Sequence, residues 1–225
     1  MSDNIIEVKG VIRDFPVSGG YFRALKDVNA DFPKGKLTIL KGRSGSGKTT
    51  LLNILGALDL PTSGTVLFDG EDISRMSEKQ RSLLRRIRTG YVFQSVALVP
   101  MMTAQENVEF ALRMAGYKGD RRERALKCLE MVGLEKRAAH LPQELSGGEQ
   151  QRIAIARAIS HKPGVIYADE PTGALDTDSG LRVVKLFKDL IAAEGVSIIM
   201  TTHDPGLMEI GDTVYEIEDG AIKHE

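Results

Sequence analysis

Gly42-Arg43-Ser44-Gly45-Ser46-Gly47-Lys48-Thr49 matches the pattern G-x-x-x-x-G-K-[ST] in full. Residues 37–40 before it form a short apolar run that predicts a strand, and residues 51–58 after it carry leucine and isoleucine at helical spacing. A strand, this loop and a helix in that order are the context in which the pattern predicts phosphate binding. Glycines let backbone N–H groups converge on phosphate oxygens, and the helix N-terminus adds partial positive charge.

Two side chains of this segment have specific chemistry in such a loop. Lys48 can reach the β- and γ-phosphates of a nucleotide, and Thr49 offers a hydroxyl group to Mg²⁺. A flexible loop with a chance lysine is the alternative, and the flanking strand and helix argue against it. The candidate phosphate-binding residues are therefore Gly42, Arg43, Ser44, Gly45, Ser46, Gly47, Lys48, Thr49 and Thr50.

The segments around the loop predict an α/β core. Short apolar runs at residues 165–168 and 196–200 are separated by a predicted helix over about residues 179–193, and such alternation indicates a parallel sheet. Residues 5–11 and 25–32 alternate between apolar and polar, as half-buried strands do. We therefore expect an α/β core preceded by an N-terminal β layer and followed by a terminal hairpin through Asp219-Gly220.

The middle of the chain, from about residue 103 to residue 161, has helical spacing and few strand signals. No repeat or Ser/Pro-rich linker interrupts the chain. We therefore expect a single domain over residues 1–225, with a helical subdomain inserted over about residues 95–161.

Composition excludes several classes of protein. Thirty basic and thirty-one acidic residues give a net charge of −1, which argues against bulk binding to nucleic acid. The single cysteine, Cys128, excludes an internal disulfide framework, and we expect it to pack inside a helix. His140, His161 and His224 have no ligand-like partners at useful spacing, so no structural metal is expected.

The sequence also predicts a location. Its apolar runs are far shorter than the roughly twenty residues of a membrane helix. The N-terminus, Met1-Ser2-Asp3-Asn4, lacks the basic and apolar regions of a signal peptide. We therefore expect a soluble, cytosolic protein.

Asp169-Glu170 directly follows the apolar run at residues 165–168. An acidic residue at the C-terminal end of a central parallel strand faces the ligand crevice. Asp169 is placed to hold Mg²⁺ and Glu170 to polarise an attacking water molecule, although a solvated acidic pair is the simpler alternative. A guanine-specificity motif, N-K-x-D, is absent from the sequence, so guanine specificity is disfavoured.

Leu145-Ser146-Gly147-Gly148-Glu149-Gln150 predicts a second phosphate-binding helix end. Ser146 and Glu149 form an S-x-x-E capping box that begins a helix. An ordinary capped helix explains the serine and the glutamate, but it does not explain two glycines in the first turn. With no side chains there, the free N–H groups of this first turn could bind a phosphate, so Ser146, Gly147, Gly148 and Glu149 are candidate nucleotide-binding residues.

With two such helix ends in one chain, the sequence resembles the ATP-binding subunits of ABC transporters over essentially its whole length. The resemblance implies a P-loop NTPase core of the ABC ATPase type, with an N-terminal antiparallel β subdomain and an inserted helical subdomain. It also implies an ATPase that uses ATP and Mg²⁺. In this family two copies form a homodimer on ATP binding, and the loop of one copy and the second helix end of the other enclose ATP.

Other motifs of the family fall in order along the chain. Gln94 matches the glutamine that contacts Mg²⁺ and the attacking water, and Asp176 lies in the loop that crosses the dimer interface. His203 matches the histidine that contacts the γ-phosphate. The resemblance therefore implies four catalytic residues and three metal-binding residues: Lys48, Gln94, Glu170 and His203 for catalysis, and Thr49, Gln94 and Asp169 for Mg²⁺.

The aromatic residue that stacks on adenine in this family matches Phe15. Tyr21 and Phe22 are alternatives, because the segment of residues 16–23 is longer than in many relatives. Arg43 and Thr50 depart from the residues usual at their positions, and neither change removes a phosphate contact.

Three segments resemble one branch in particular: residues 106–108, 147–152 and 168–177. That branch contains ATPases of lipoprotein release, macrolide efflux, antimicrobial-peptide resistance and cell division. The resemblance implies a peripheral protein on the cytoplasmic side of the membrane, bound to a transmembrane permease that often moves an external domain. Since the sequence ends soon after Lys223, we expect the permease to be a separate polypeptide, docked near residues 96–106. Met101 and Met102 in that segment are either contact residues or part of the core.

Two alternatives remain from the sequence. A cell-division ATPase would signal through its permease without transport, and nothing in this sequence separates it from a transporter. An ABC-type ATPase of DNA repair or of the ribosome usually has long coiled-coil or zinc insertions or two cassettes in tandem. This chain has one cassette and no heptad run, so no nucleic-acid partner is expected. The sequence does not name the substrate.

Overall fold

The computed structural model describes residues 3–223, so His224 and the first two residues lie outside the described part. The strands are β1 (Asn4–Val17), β2 (Gly20–Pro33), β3 (Leu37–Lys41), β4 (Ser63–Phe68), β5 (Glu71–Asp72), β6 (Thr89–Val92), β7 (Val165–Ala168), β8 (Ser197–Thr202), β9 (Thr213–Glu218) and β10 (Ala221–Lys223). The helices are α1 (Lys48–Leu55), α2 (Glu78–Arg88), α3 (Ala104–Ala115), α4 (Arg121–Met131), α5 (Gly147–Ile159) and α6 (Thr177–Glu194). Short 3-10 segments lie at Glu135–Arg137, Pro142–Glu144 and Pro205–Ile210.

The N-terminal strands form an antiparallel sheet in the order β2-β1-β4-β5. Its inward side chains are buried, among them Ile6, Val8, Leu25 and Val28. This confirms the predicted antiparallel β layer, because alternate residues of a strand point to opposite faces of the sheet. The β1–β2 hairpin is longer than the alternation predicts and extends to a turn at residues 18–19.

A second sheet has the order β10-β9-β3-β8-β7-β6 and is parallel except for the terminal β9–β10 hairpin. Every residue of β7 and β8 is buried, as expected for strands covered on both faces. The carboxyl ends of β3, β6, β7 and β8 meet at one edge of this sheet. The phosphate loop, Gln94, Asp169-Glu170 and His203 follow those four strands, so the fold gathers them at that edge.

Three helices between β6 and β7, α3 to α5, pack into the same hydrophobic core as one face of this sheet. Arg124 of α4 joins them to the rest of the molecule. Its buried guanidinium donates to the backbone oxygens of Ser160 (2.8 Å) and Ile159 (3.3 Å) and pairs with Glu194 (2.9 Å). These contacts hold α4 against the C-terminal ends of α5 and α6, where helix carbonyl groups need donors.

Helix α2 is the longest element that the sequence analysis did not predict. Leu84 is its one buried residue, and Leu83 and Ile87 are exposed, so the apolar stripe of α2 is short and easily overlooked. The available signal was the capping box at its start, where Ser77 and Gln80 exchange hydrogen bonds. Within residues 3–223, no helix combines the length and apolar composition needed to cross a bilayer.

The thiol of Cys128 is expected to react slowly in the folded protein. Burial in α4 raises the pKa of Cys128 from 9.0 to about 11. At neutral pH its reactive thiolate is therefore about a hundredfold less populated than that of an exposed cysteine. Labelling with a chromogenic disulfide reagent at neutral pH should be slow until denaturant is added. Lys127→Cys in a Cys128→Ser background places an exposed thiol one residue away as the control. Equal labelling rates for Cys128 and for the cysteine introduced at position 127, both in the folded protein, would contradict the expected burial.

Candidate functional site

The phosphate loop joins β3 to α1 without a side chain that caps the helix. Gly47 precedes α1 at a φ of 107°, a conformation that L side chains rarely adopt. A Cβ atom on Gly42 would lie 2.3 Å from the backbone oxygen of Ile217. Both glycines are therefore required by the backbone, and the free N–H groups at the start of α1 point to a ligand rather than to a cap.

The side chain of Lys48 is buried, with 4% of it exposed. Its Nζ donates to the backbone oxygens of Gly42 (2.8 Å) and Arg43 (3.0 Å), and it lies 3.9 Å from Oε1 of Glu170. The ammonium group is thus held inside the loop that the backbone forms. There it can balance the charge of a bound phosphate.

Ser46 supports the fit of a phosphate to this loop. Its Oγ is buried and has no hydrogen-bond partner among the described residues. A buried hydroxyl group without a partner costs free energy, so a ligand oxygen at this position would be stabilised. Arg43, Ser44 and Gly45 are exposed on the outside of the same loop.

Thr49 and Asp169 meet, although 120 residues separate them in the sequence. The Thr49 hydroxyl donates to Oδ1 of Asp169 at 3.1 Å. Hydroxyl and carboxylate oxygens are ligands that Mg²⁺ accepts, so the donor set fits this ion. Asp169 is held in place by a hydrogen bond from its backbone N–H to the oxygen of Val92 (2.9 Å).

Thr201, at the end of β8, is a residue of the site that the sequence patterns missed. Its Oγ1 donates to Oδ1 of Asp169 (2.7 Å) and accepts from the backbone N–H of Glu170 (2.8 Å). One hydroxyl group therefore orients both acidic residues. The available signal was its position just before His203, at the carboxyl end of a predicted core strand.

Glu170 lies between two groups of the site. Its Oε1 is 3.9 Å from Nζ of Lys48, and its Oε2 is 3.4 Å from Nδ1 of His203. The backbone of Glu170 has a φ of 44°, a strained value for a residue with a side chain. Strained backbone of this kind occurs most often at functional sites, where the surrounding structure holds it in place. The arrangement leaves a carboxylate that is 21% exposed, close to a cation and to an imidazole.

Gln94 lies exposed in the turn that follows β6, next in the sheet to the strand that ends before Asp169. Within residues 3–223, no hydrogen bond joins it to Thr49, Asp169 or Glu170. The structure thus places Gln94 at the same edge of the sheet as Asp169 and Glu170, outside the hydrogen-bonded cluster.

Phe15 is half-buried on β1, and the guanidinium of Arg13 lies 4.4 Å from the centre of its ring. Phe15 pairs with Phe22 across the β1–β2 hairpin. Tyr21 and Phe22 are more exposed, at 78% and 57%.

The helix end at residues 146–149 is open. Ser146 and Glu149 form the predicted capping box: Oγ of Ser146 accepts from the N–H of Glu149 (3.3 Å), and Oε2 of Glu149 accepts from the N–H of Ser146 (2.9 Å). Hydrogen bonds from the backbone and the hydroxyl of Ser146 lower the pKa of Glu149. A Cβ atom on Gly147 or Gly148 would meet nothing within 4 Å. Packing within this chain therefore does not explain the two glycines.

Asp176 shares a cavity of about 360 Å³ with this helix end. Its carboxylate caps α6 by accepting from the hydroxyl (2.6 Å) and the N–H (2.9 Å) of Ser179, which lowers the pKa of Asp176. The predicted site residues thus form two groups, one around Lys48 and Asp169 and one around Ser146 and Asp176. Among the described residues, no hydrogen bond or ion pair joins the two groups.

Comparison with known proteins identifies the family. The profile of the ABC transporter family matches residues 25–173. The uncharacterized ABC transporter ATP-binding protein MJ0796 of Methanocaldococcus jannaschii is 41% identical over 98% of this chain and 96% of that protein. The lipoprotein-releasing system ATP-binding protein LolD of Bacteroides thetaiotaomicron is 43% identical over 98% of this chain and 100% of that protein. The macrolide export ATP-binding/permease protein MacB of Agrobacterium fabrum is 45% identical over 99% of this chain, which spans 34% of its length.

Two solved structures have the same fold over 97% of both chains. The dimeric structure of the MJ0796 cassette has a TM-score of 0.88 at 40% identity. Its post-hydrolysis state bound to ADP and Pi has a TM-score of 0.88 at 39% identity. These matches confirm the predicted ABC ATPase fold and fit the branch of lipoprotein release and macrolide efflux. The chain belongs to the ABC transporter family, in which it is an ATP-binding subunit that hydrolyses ATP.

Proposed function

We propose that two copies of this chain form a head-to-tail dimer that encloses two ATP molecules and drives a transmembrane permease. The proposal rests chiefly on the separation of the two groups of site residues. The loop around Lys48 has the buried lysine and the Thr49–Asp169 pair, whereas the open helix end at residues 146–149 offers backbone N–H groups, and among the described residues no hydrogen bond or ion pair joins the two groups. A two-fold axis brings each group against its complement in the other copy and so makes two equivalent sites from one pair of surfaces.

The residues near the γ-phosphate would divide the chemistry among them. Lys48 and the loop N–H groups bind the phosphates, and Glu170 accepts the proton of the attacking water molecule. His203, 3.4 Å from Glu170, extends the site toward the γ-phosphate. Thr49, Asp169 and Gln94 would hold Mg²⁺, which when bound neutralises charge on the phosphate oxygens.

The remaining contacts come from the rest of the cassette. Phe15 would stack on adenine, and Ser146, Gly147 and Gly148 would bind the γ-phosphate of the ATP held by the other copy. Asp176 lies beside that helix end and would face the dimer interface. The chain would act as a single cassette over residues 1–225, with residues 95–161 as its helical subdomain.

Binding energetics then connect hydrolysis to movement. ATP that contacts both copies favours the closed dimer, because the ligand binds that state more tightly than the open one. Loss of the γ-phosphate removes the bridge between the copies and lets the dimer reopen. A permease attached to both copies would be moved by each cycle.

The proposed location is the cytoplasmic face of a membrane, where the chain would bind a separate permease. Exposed apolar side chains lie close in sequence to Gln94, among them Phe93 and Met101, with 41% and 90% of their surface exposed. Met101 and the half-buried Met102 lie within the docking region proposed near residues 96–106, and Phe93 lies just before it. Relatives named for lipoprotein release and macrolide export favour export or the movement of an external domain. Signalling in cell division without transport is the second candidate, because a chain of this branch would serve either role.

Capture of the permease tests this function. Tagged Glu170→Gln protein is incubated with Mg-ATP and detergent-solubilised membranes of the source organism, and bound proteins are identified by mass spectrometry. We expect one permease with a large external domain, and less of it with Met101→Glu in the same background. Met114→Glu, an exposed methionine at the other end of α3, is the control.

The other outcomes separate the candidates. A permease recovered together with an activator of murein hydrolases would favour the cell-division role. Ribosomes or DNA-repair proteins without any membrane protein would leave the ATPase chemistry intact and contradict the proposed role at the membrane.

A further inference from the structure

Arg13 forms a bidentate ion pair that has no role in the function proposed above. Its Nε and Nη2 donate to the two carboxylate oxygens of Asp59 at 2.9 and 3.0 Å. Only 23% of the Arg13 side chain and 31% of the Asp59 side chain are exposed. Paired hydrogen bonds of this kind fix the plane and the position of a guanidinium group.

The fixed guanidinium covers one face of an aromatic ring. Its central carbon lies 4.4 Å from the centre of the Phe15 ring, within the range of a cation–π contact. A planar base can therefore stack only on the opposite face. Tyr21 and Phe22, the other candidates for adenine, lie exposed near the hairpin turn, and neither has such a contact among the described residues.

Asp59 connects this ring to the phosphate loop. The backbone N–H groups of Leu58 and Asp59 donate to the oxygen of Asn53 in α1, at 2.8 and 3.2 Å. Asp59 is thus attached to the C-terminal end of α1, and the N-terminal end of the same eight-residue helix forms the phosphate loop. The Phe15 ring is therefore connected to the loop through Arg13, Asp59 and one short helix.

The backbone beside Phe15 is held to the same region. The N–H of Asp14 donates to Oγ1 of Thr62 (2.9 Å), and the N–H of Thr62 donates to the oxygen of Ile12 (2.8 Å). Both the backbone and the ring at this point of the hairpin are thus attached to the segment after α1. The Arg13–Asp59 pair thus differs from an isolated surface ion pair, because Arg13 contacts the Phe15 ring and Asp59 is attached to α1.

We propose that Arg13 is a positioning residue for the adenine base: held by Asp59, it supports one face of Phe15 and leaves the other for stacking. This inference rests on the proposed adenine contact of Phe15. It assigns to Asp59 the role of linking the base-binding ring to α1. It also selects Phe15 from the three aromatic residues.

The test compares ligands with and without a base. Isothermal titration calorimetry gives Kd for ADP and for inorganic tripolyphosphate, which offers a phosphate chain alone. Arg13→Ala should raise the Kd for ADP about three- to tenfold and leave the Kd for tripolyphosphate within twofold. In steady-state hydrolysis the same variant should raise KM for ATP with little change in kcat.

Conservative variants distinguish a positioning role of Arg13 from a general loss of structure. Arg13→Lys keeps the charge without the paired hydrogen bonds and should recover part of the ADP affinity. Asp59→Asn should weaken ADP binding in the same direction as Arg13→Ala. Arg23→Ala is the matched control, because Arg23 forms an equivalent ion pair with Asp14 (2.8 and 3.0 Å) in the same hairpin without a described contact to the Phe15 ring.

Phe15→Ala distinguishes failure of this inference from failure of the adenine contact. If Phe15→Ala weakens ADP binding and Arg13→Ala does not, Arg13 has no positioning role and the adenine contact stands. If Phe15→Ala has no effect, the adenine contact and the role of Arg13 both fail. Equal losses for ADP and tripolyphosphate in Arg13→Ala would also overturn the inference, since the loop itself would then be disturbed.

Discussion

Replacing Glu170 with glutamine is expected to lower ATP turnover by at least about a hundredfold and to leave ATP binding intact. The amide has nearly the shape of the carboxylate, but it cannot accept the proton of the attacking water molecule. Lys48 Nζ, 3.9 Å from the Glu170 carboxylate, keeps its hydrogen bonds to the loop, so the phosphate site is preserved. Because ATP then persists, the dimer should stay closed.

Three measurements check this result: phosphate release for turnover, equilibrium dialysis for ATP binding, and sedimentation velocity for the dimer. Glu209→Gln is the matched control, since Glu209 is exposed in the 3-10 segment that follows His203. It should hydrolyse ATP at the normal rate. Normal turnover by Glu170→Gln would show that another group accepts the proton.

Replacing Lys48 with alanine should abolish measurable turnover and weaken ATP binding, because Lys48 would balance phosphate charge in both the bound state and the transition state. The variant loses a buried cation from the loop, and hydrogen bonds to charged groups contribute about 1.5–3 kcal/mol each. We expect the Kd for ATP to rise by about ten- to a hundredfold. Lys41→Ala is the control: Lys41 ends β3 just before the loop and pairs with Glu216 at 2.9 Å, and its loss should change the Kd little.

A mixture of two inactive variants makes this second result a test of the head-to-tail dimer. Ser146→Arg fills the open helix end with a large side chain, so it should also be inactive alone. A mixed dimer of Lys48→Ala and Ser146→Arg has one site with both defects and one site with none. Mixing should therefore restore turnover. If mixed dimers form and remain inactive, the ATP site is not shared between two copies in this way.

Local motifs account for what could be predicted from the sequence. The phosphate loop, Asp169-Glu170 and the capping box at Ser146 are contiguous, and each lies where a strand or a helix begins or ends. Their chemistry therefore follows from residue type and neighbourhood. The order of strands and helices likewise predicted the α/β core, and the structural comparison confirms it.

Contacts between distant segments could not be predicted in this way. Arg13 and Asp59 are 46 residues apart, and Thr201 lies 32 residues from Asp169, so no spacing in the chain marks either pair. Helix α2 was missed for another reason: Leu83, Leu84 and Ile87 are its only apolar residues, and of these only Leu84 is buried. Its capping box, the packing of Leu84 in the core and the ion pair of Glu78 with Arg85 hold it in place.

The separation of the two site groups also has a genetic consequence. In a dimer of identical copies, a single gene encodes both the loop around Lys48 and the open helix end at residues 146–149. A mutation in one of the two surfaces therefore affects both ATP sites, because both copies have the altered surface and it faces an unaltered partner surface in each site. Duplication of the gene would release this constraint, since two diverging copies could keep one working site and lose the other.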